Sequence, residues 1–188
     1  VMLSSSMGHL EELDISYSGT HATLCPLFEE VEAINRVHKA RHRHIKSINL
    51  TGCSAVNNNT VVAIAHAVTT EHLSLSNAPQ VTSIMPLAQL MMELTWLEMN
   101  QCHLPGEALA EFARSVGEDK KRAAAASNTL LASRHQLERI DLHHPQDPTL
   151  REGTGNWLGN LLGPSVAVKW SFTVQLSQAA QSSYYRKK

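Results

Sequence analysis

The sequence predicts an α/β fold: a repeat solenoid with a curved parallel sheet on its concave side and helices on its convex side. Three observations carry that expectation. A short apolar phrase recurs five times along the chain. Within each copy the apolar residues stand two apart, the period that puts them on one face of a strand. Between the copies, apolar residues keep helical spacing. One strand this short cannot bury its apolar face alone, but parallel neighbours stacked beside it make a continuous core.

The copies read Leu10-x-x-Leu13-x-Ile15, Ile45-x-x-Ile48-x-Leu50, Leu73-x-Leu75, Leu94-x-x-Leu97-x-Met99 and Leu137-x-x-Ile140-x-Leu142. In the third copy Thr70 stands where the first apolar residue belongs. Strands are therefore expected near 10–17, 45–52, 71–77, 94–101 and 137–144. Cys53 and Cys102 follow three residues after two of the copies. The phrase resembles that of the leucine-rich repeat family, L-x-x-L-x-L-x-x-(N/C)-x-L. In that family the Asn or Cys sits where the chain leaves the strand and bonds backbone groups the strand leaves unpaired. Here the slot reads Ser18, Cys53, Ala78, Cys102 and Pro145, with Asn77 one residue early, so the repeat is degenerate and a register slip is one reading of the third copy.

The steps from Leu13 to Ile48, Leu73, Leu97 and Ile140 are 35, 25, 24 and 43 residues. Steps of roughly 20–29 residues are usual for such repeats, and longer ones hold extra structure. Leu24, Leu27, Phe28, Val31 and Ile34 predict a first helix running through Val37. Asn59 or Thr60 is expected to cap a second, carrying Val61, Ile64, Ala65 and Val68. Met85-Pro86-Leu87 starts a short third, with proline where the first turn tolerates it. Pro105-Gly106-Glu107 opens a fourth, with Leu109, Phe112 and Val116 facing the core.

The stretch from Leu97 to Val116 is similar to the ribonuclease-inhibitor type of the family, while the cysteines suit the cysteine-containing type found in F-box proteins. Both subtypes stay open. The longest step contains Gly117 to Arg122, four alanines and Ser127-Asn128. Lengthening of the fourth helix and an exposed loop followed by a short helix over Thr129–His135 are both compatible with it. A solvated insertion is the reading preferred.

Trp157, Leu158, Leu161 and Leu162 predict a last helix, and Val168, Trp170, Phe172 and Val174 alternate as a final strand. Residues 1–175 are thus expected to form one domain whose C-terminal cap spans about 149–175, with 176–188 a polar tail. Nothing before Leu10 reads as a polar cap, although Met2 and Leu3 offer some cover. The expectation is a piece of a longer repeat protein, either monomeric or weakly self-associating through its open first strand edge.

At 43% apolar content, 188 residues suffice for one sizeable core, and a net charge of −1 gives no general drive towards nucleic acid or anionic membrane. No run approaches the ~18 apolar residues of a membrane span. Three cysteines without paired spacing suit a reducing compartment, so an intracellular location (cytoplasm, nucleus or organelle matrix) is expected.

Two histidine-rich stretches invite a chemical reading. Arg36 to His44 forms a basic cluster that would suit an anion, RNA or metal. Its cations would repel a metal, and no carboxylate or cysteine adjoins it, so a solvated helix end is the simpler reading. His143-His144 with Asp147 is a weaker metal candidate, because neighbouring strand residues point to opposite faces. No phosphate loop, nucleophile elbow or H-E-x-x-H is present, so no enzyme, no cofactor and no metal are expected.

Aligned as columns, the five strands define a candidate surface. The central column, between the buried positions, is Asp14, Asn49, Ser74, Glu98 and Asp141. Before it stand Glu12, Ser47, His72, Trp96 and Arg139, and after it Ser16, Thr51, Ser76, Asn100 and His143. The partner-binding candidates are Glu12, Asp14, Asn49, His72, Ser74, Trp96, Glu98, Asn100, Arg139 and Asp141. Trp96 is the outlier: either an interface anchor or a ring packed against its neighbouring columns. The three carboxylates of the central column favour a partner with basic side chains.

The resemblance implies a non-catalytic protein-interaction module or scaffold working through the concave sheet. Two alternatives stand beside it. One is a subunit of a ribonucleoprotein complex using the 36–46 cluster; the other is the substrate-recognition part of an F-box-type ubiquitin ligase.

Overall fold

The computed structural model describes residues 10–18, 24–38, 43–125, 135–143 and 154–171. Among these residues the architecture is α/β, with a parallel six-stranded sheet and five helices. The sheet holds β1 (Glu12–Asp14), β3 (Ser47–Asn49), β5 (His72–Ser74), β6 (Trp96–Glu98), β7 (Arg139–His143) and β8 (Ala167–Ser171), side by side in chain order. The short strands β2 (Arg43–His44) and β4 (Val68–Thr69) pair separately, a feature the apolar phrase did not announce.

Parallel neighbours need a crossover, and helices supply it. These are α1 (Cys25–His38), α2 (Asn58–Ala67), α3 (Met85–Leu90), α4 (Gly106–Ala125) and α5 (Thr154–Leu162), each packed on the next. Between them and the sheet lies one core. Ile48, Leu73, Leu97 and Ile140, from the strand centres, meet Phe28, Val31, Ile64, Leu87, Phe112 and Leu158 there, and all are fully buried or nearly so.

Register follows the phrase. Leu13 pairs with Ile48, Ile48 with Leu73, Leu73 with Leu97, and Leu97 with Ile140. The ladder continues beyond each strand, as in Leu50 N to Ser74 O (2.9 Å) and Leu75 N to Glu98 O (2.9 Å). Four residues past the centres of the first four copies the backbone turns left-handed: Tyr17 (φ 53), Gly52 (φ 67), Asn77 (φ 56) and Gln101 (φ 57). Asn77 therefore occupies the turn, and the buried Ala78 fills the slot after it. The third copy carries no register slip.

Thr70 is tolerated at an apolar position because its hydroxyl is satisfied. Its Oγ1 lies 3.1 Å from Lys46 O and 3.0 Å from His72 O, which offsets the cost of burying it. Cys102 behaves as the slot requires, its thiol donating to Leu75 O at 3.2 Å.

The helices correct several expectations. The cap of α2 is Asn57, not Asn59 or Thr60. The Asn57 side chain accepts from Thr60 N, and the Thr60 hydroxyl accepts from Asn57 N, a reciprocal capping box. The segment after Gly117 is helix through Ala125, not a solvated insertion. It is docked there: Lys120 Nζ donates to Leu137 O (2.7 Å) and Ser165 Oγ (3.2 Å), and Gly117 lies against the Leu161 carbonyl of α5. The expected short helix over Thr129–His135 falls outside the described residues save for His135. The final strand appears as β8, a sixth parallel member paired with β7 over five residues. Among the described residues β1 has no partner on its outer edge, and no helix is long and apolar enough to cross a membrane.

Candidate functional site

Because Leu13, Ile48, Leu73, Leu97 and Ile140 face the helices, the residues on either side of each face away from them, and no described element packs on that second face. All ten candidate residues lie on that face or at its C-terminal rim. They differ in how open they are. Glu12 and Asp14 are exposed; Asn49, His72, Trp96, Glu98, Asn100 and Arg139 are half-buried. Ser74 and Asp141 are buried at 1% and 3% exposure, which corrects their placement on an open polar surface.

The reason is that these polar residues hold one another. Ser74 Oγ lies 2.8 Å from Thr51 Oγ1 and 3.4 Å from Ser76 Oγ. Asp141 receives both Nε (2.8 Å) and Nη2 of Arg139, a bidentate pair. Burial pushes the Asp141 carboxyl up, but the Arg139 hydrogen bonds and charge outweigh it, with Lys169 helping. The net result is a carboxyl held below its ordinary range. Asp14 is lowered as well, chiefly by hydrogen bonds from Ser16, and it accepts from Asn49 Nδ2 at 3.1 Å. Two of the three acidic groups in the central column are thus already engaged within the chain.

The column before it forms a stack. Ser47 Oγ lies 3.1 Å from His72 Nδ1, the imidazole stacks on Trp96 at 4.2 Å between centroids and 16° between planes, and the Arg139 guanidinium covers the same indole at 4.0 Å. Parallel register makes this possible, since His72, Trp96 and Arg139 are direct partners on successive strands. Trp96 is therefore packed between its neighbouring columns and half-exposed on the face. Its indole N–H is buried outside hydrogen-bond geometry with any described acceptor, although it is close enough to help hold the Asp141 carboxyl down. His72 Nε2 faces Glu98 Oε2 at 3.7 Å.

The third column closes the rim. Asn100 N donates to Ser76 Oγ (3.1 Å), Asn100 Oδ1 accepts from His143 N (2.8 Å), and His143 Nδ1 meets Ser171 Oγ at 2.6 Å. His143 is accordingly engaged with β8; His144 and Asp147 lie outside the described residues. Sequence reasoning missed two contributors here, Tyr17 and Gln101. Their left-handed turns bring them to the rim beside Asn100. The signal was their constant offset from the strand centres.

The basic stretch looks different in three dimensions. Arg36 pairs with Glu32 one helical turn earlier. His44 sits between two carboxylates that the sequence places far away, Glu93 Oε2 at 3.2 Å and Glu71 Oε1 at 3.5 Å. Residues 39–42 lie outside the described residues. Among the described residues no group of three His, Cys, Asp or Glu is arranged to hold a metal ion. Cys25, Cys53 and Cys102 are free thiols, and burial raises the Cys102 pKa.

No protein-family model matches this chain, and no curated protein matches its sequence significantly.

Proposed function

We propose that this chain is a leucine-rich-repeat-type solenoid module that binds a protein partner through the sheet face turned away from the helices, without catalysing a reaction. The observation that carries the reading is the half-exposed His72–Trp96–Arg139 stack at the middle of that face. Large aromatic and arginine side chains, rigidly held and partly desolvated, are the groups that dominate interface energetics. Their mutual packing lowers the ordering cost on binding, because the rings and the guanidinium are already fixed. The phrase repeated at matched register and the shared left-handed turn support the repeat assignment. Free cysteines, two of them buried, suit a reducing compartment.

The test is affinity capture from cell extract with the wild-type chain beside a Trp96→Ala, Glu12→Lys double variant, both first shown to fold alike by circular dichroism. Proteins captured by the wild type and lost from the variant support the reading once one of them binds in purified form. Identical sets of captured proteins overturn it.

A further inference from the structure

Where β3, β5 and β6 end on the open face, the turns leave a hollow of about 260 Å³. A water occupies ~30 Å³, so the hollow has room for a sizeable side chain. Its inner wall is pre-built. Thr51 is tied to Ser74, Ser76 to the Asn100 amide, and Asn100 to His143, so these groups have little freedom to collapse inward. Asn77 and Gln101 stand at the rim on their left-handed turns.

Two features select an occupant. Among the described residues Glu98 is the one charged group lining the hollow. Its side chain is 23% exposed, and among the described residues no hydrogen bond reaches its carboxylate; its nearest basic atom is His72 Nε2 at 3.7 Å. The neighbouring Arg139 directs its hydrogen bonds to Asp141 instead. Tyr17, 73% exposed, lines the same hollow. Its ring is laid against Gly52 so closely that a Cβ there would come within 2.6 Å of it. A half-buried carboxylate without a donor among the described residues, in a hollow shared with an aromatic ring and oxygen-bearing side chains, is complementary to a planar cation on an alkyl stem.

We propose that this hollow is a docking subsite for a basic side chain, arginine in preference to lysine, presented by an extended segment of the partner protein. The guanidinium pairs with Glu98 and lies on the Tyr17 ring, a geometry that lysine matches less well. The subsite rests on the protein-binding reading above and deepens it by naming what the partner must carry.

The probe is the capped peptide acetyl-Gly-Arg-Gly-amide, with its citrulline counterpart as the uncharged isostere, titrated to about 10 mM against the full chain by ¹⁵N NMR. Saturable shifts of the Asn77, Glu98 and Gln101 amides are expected with arginine, with affinity about tenfold weaker for citrulline, the size of one lost charge-assisted hydrogen bond. Glu98→Gln should lose the same factor, and Tyr17→Asn, which keeps a residue that tolerates positive φ, should weaken binding several-fold. No saturable shift, equal binding of citrulline, or an undiminished Glu98→Gln affinity overturns the subsite. The two proposals fail separately. A silent peptide titration beside proteins lost from the Trp96 variant removes the subsite alone. Arginine-selective shifts beside unchanged capture remove the wider open-face reading.

Discussion

The Arg139 guanidinium carbon lies 4.0 Å above the Trp96 ring centroid while the same group holds Asp141 with two hydrogen bonds. One cation thus serves a ring on β6 and a carboxylate two residues away on its own strand. This arrangement makes the centre of the open face a coupled unit.

A double-mutant cycle measures that coupling. Trp96→Ala and Arg139→Leu should each destabilise the chain, Trp96→Ala by about 2 kcal/mol because the ring is half-buried and not fully buried. Together they should cost less than the sum by about 0.5–1 kcal/mol, the worth of a cation–π contact at a partly exposed site. Urea unfolding followed by circular dichroism reads both quantities, and strict additivity would rule the contact out as a stabilising one.

Gly52 carries two constraints at once. Its φ of +67 disfavours any Cβ, and a Cβ would meet the Tyr17 ring at 2.6 Å. Gly52→Ala should destabilise by about 1–2 kcal/mol from the backbone alone, with a further part from moving the ring. Repeating the substitution in a Tyr17→Asn background should recover the steric part and leave the backbone part. Equal losses in both backgrounds would mean the ring swings away freely.

Gly117 offers a sharper sign test. In an exposed helix interior, Gly→Ala stabilises by about 1 kcal/mol. Here the added carbon would stand 1.9 Å from the Leu161 carbonyl oxygen, backbone that can move only if α5 shifts. Overpacking of this kind costs about 1–3 kcal/mol or more, so Gly117→Ala should lower the unfolding midpoint. A raised midpoint would show that α4 and α5 do not pack this closely.

Acid should weaken the fold in two windows. His135 is buried in the company of Leu87, Met91, Phe112 and Leu137. Burial lowers its pKa below the ordinary 6.5, and Lys120 assists against the opposing pull of Asp119. With a depressed folded pKa, the neutral ring's stability is intact above the unfolded value of 6.5 and is lost as pH falls through the folded one. Asp141 follows the same sign lower down, its contribution present above 3.8 and lost below. His135→Gln should flatten the first window in pH-dependent unfolding and leave the second; an unchanged profile would remove His135 as the cause.

Much of the frame was legible because it is local. Apolar residues two apart identified the strand centres Leu13, Ile48, Leu73, Leu97 and Ile140, and helical spacing placed α1 almost to the residue. Where the reading slipped, a particular contact had decided, local in one case and long-range in the other. Asn57 caps α2 because its own amide and side chain both meet Thr60, whereas the sequence reading placed the cap at Asn59 or Thr60. The 117–125 segment stays helical because α5 and the strand ends hold Gly117 and Lys120.

The candidate site divides along the same line. By itself the sequence determined which residues share the open face, since a strand's period of two assigns every side chain to one side or the other once register is known. Only the tertiary structure decided how those residues spend their charge and surface. It pairs Asp141 with Arg139, buries Ser74 under Thr51 and Ser76, clamps Trp96 between His72 and Arg139, and leaves Glu98 without a hydrogen-bond donor among the described residues, in the hollow it shares with Tyr17. Apart from the Arg139–Asp141 pair, which lies within one strand, those outcomes depend on contacts between strands far apart in the chain, where a side chain's partner is set by spatial proximity and not by its sequence neighbours.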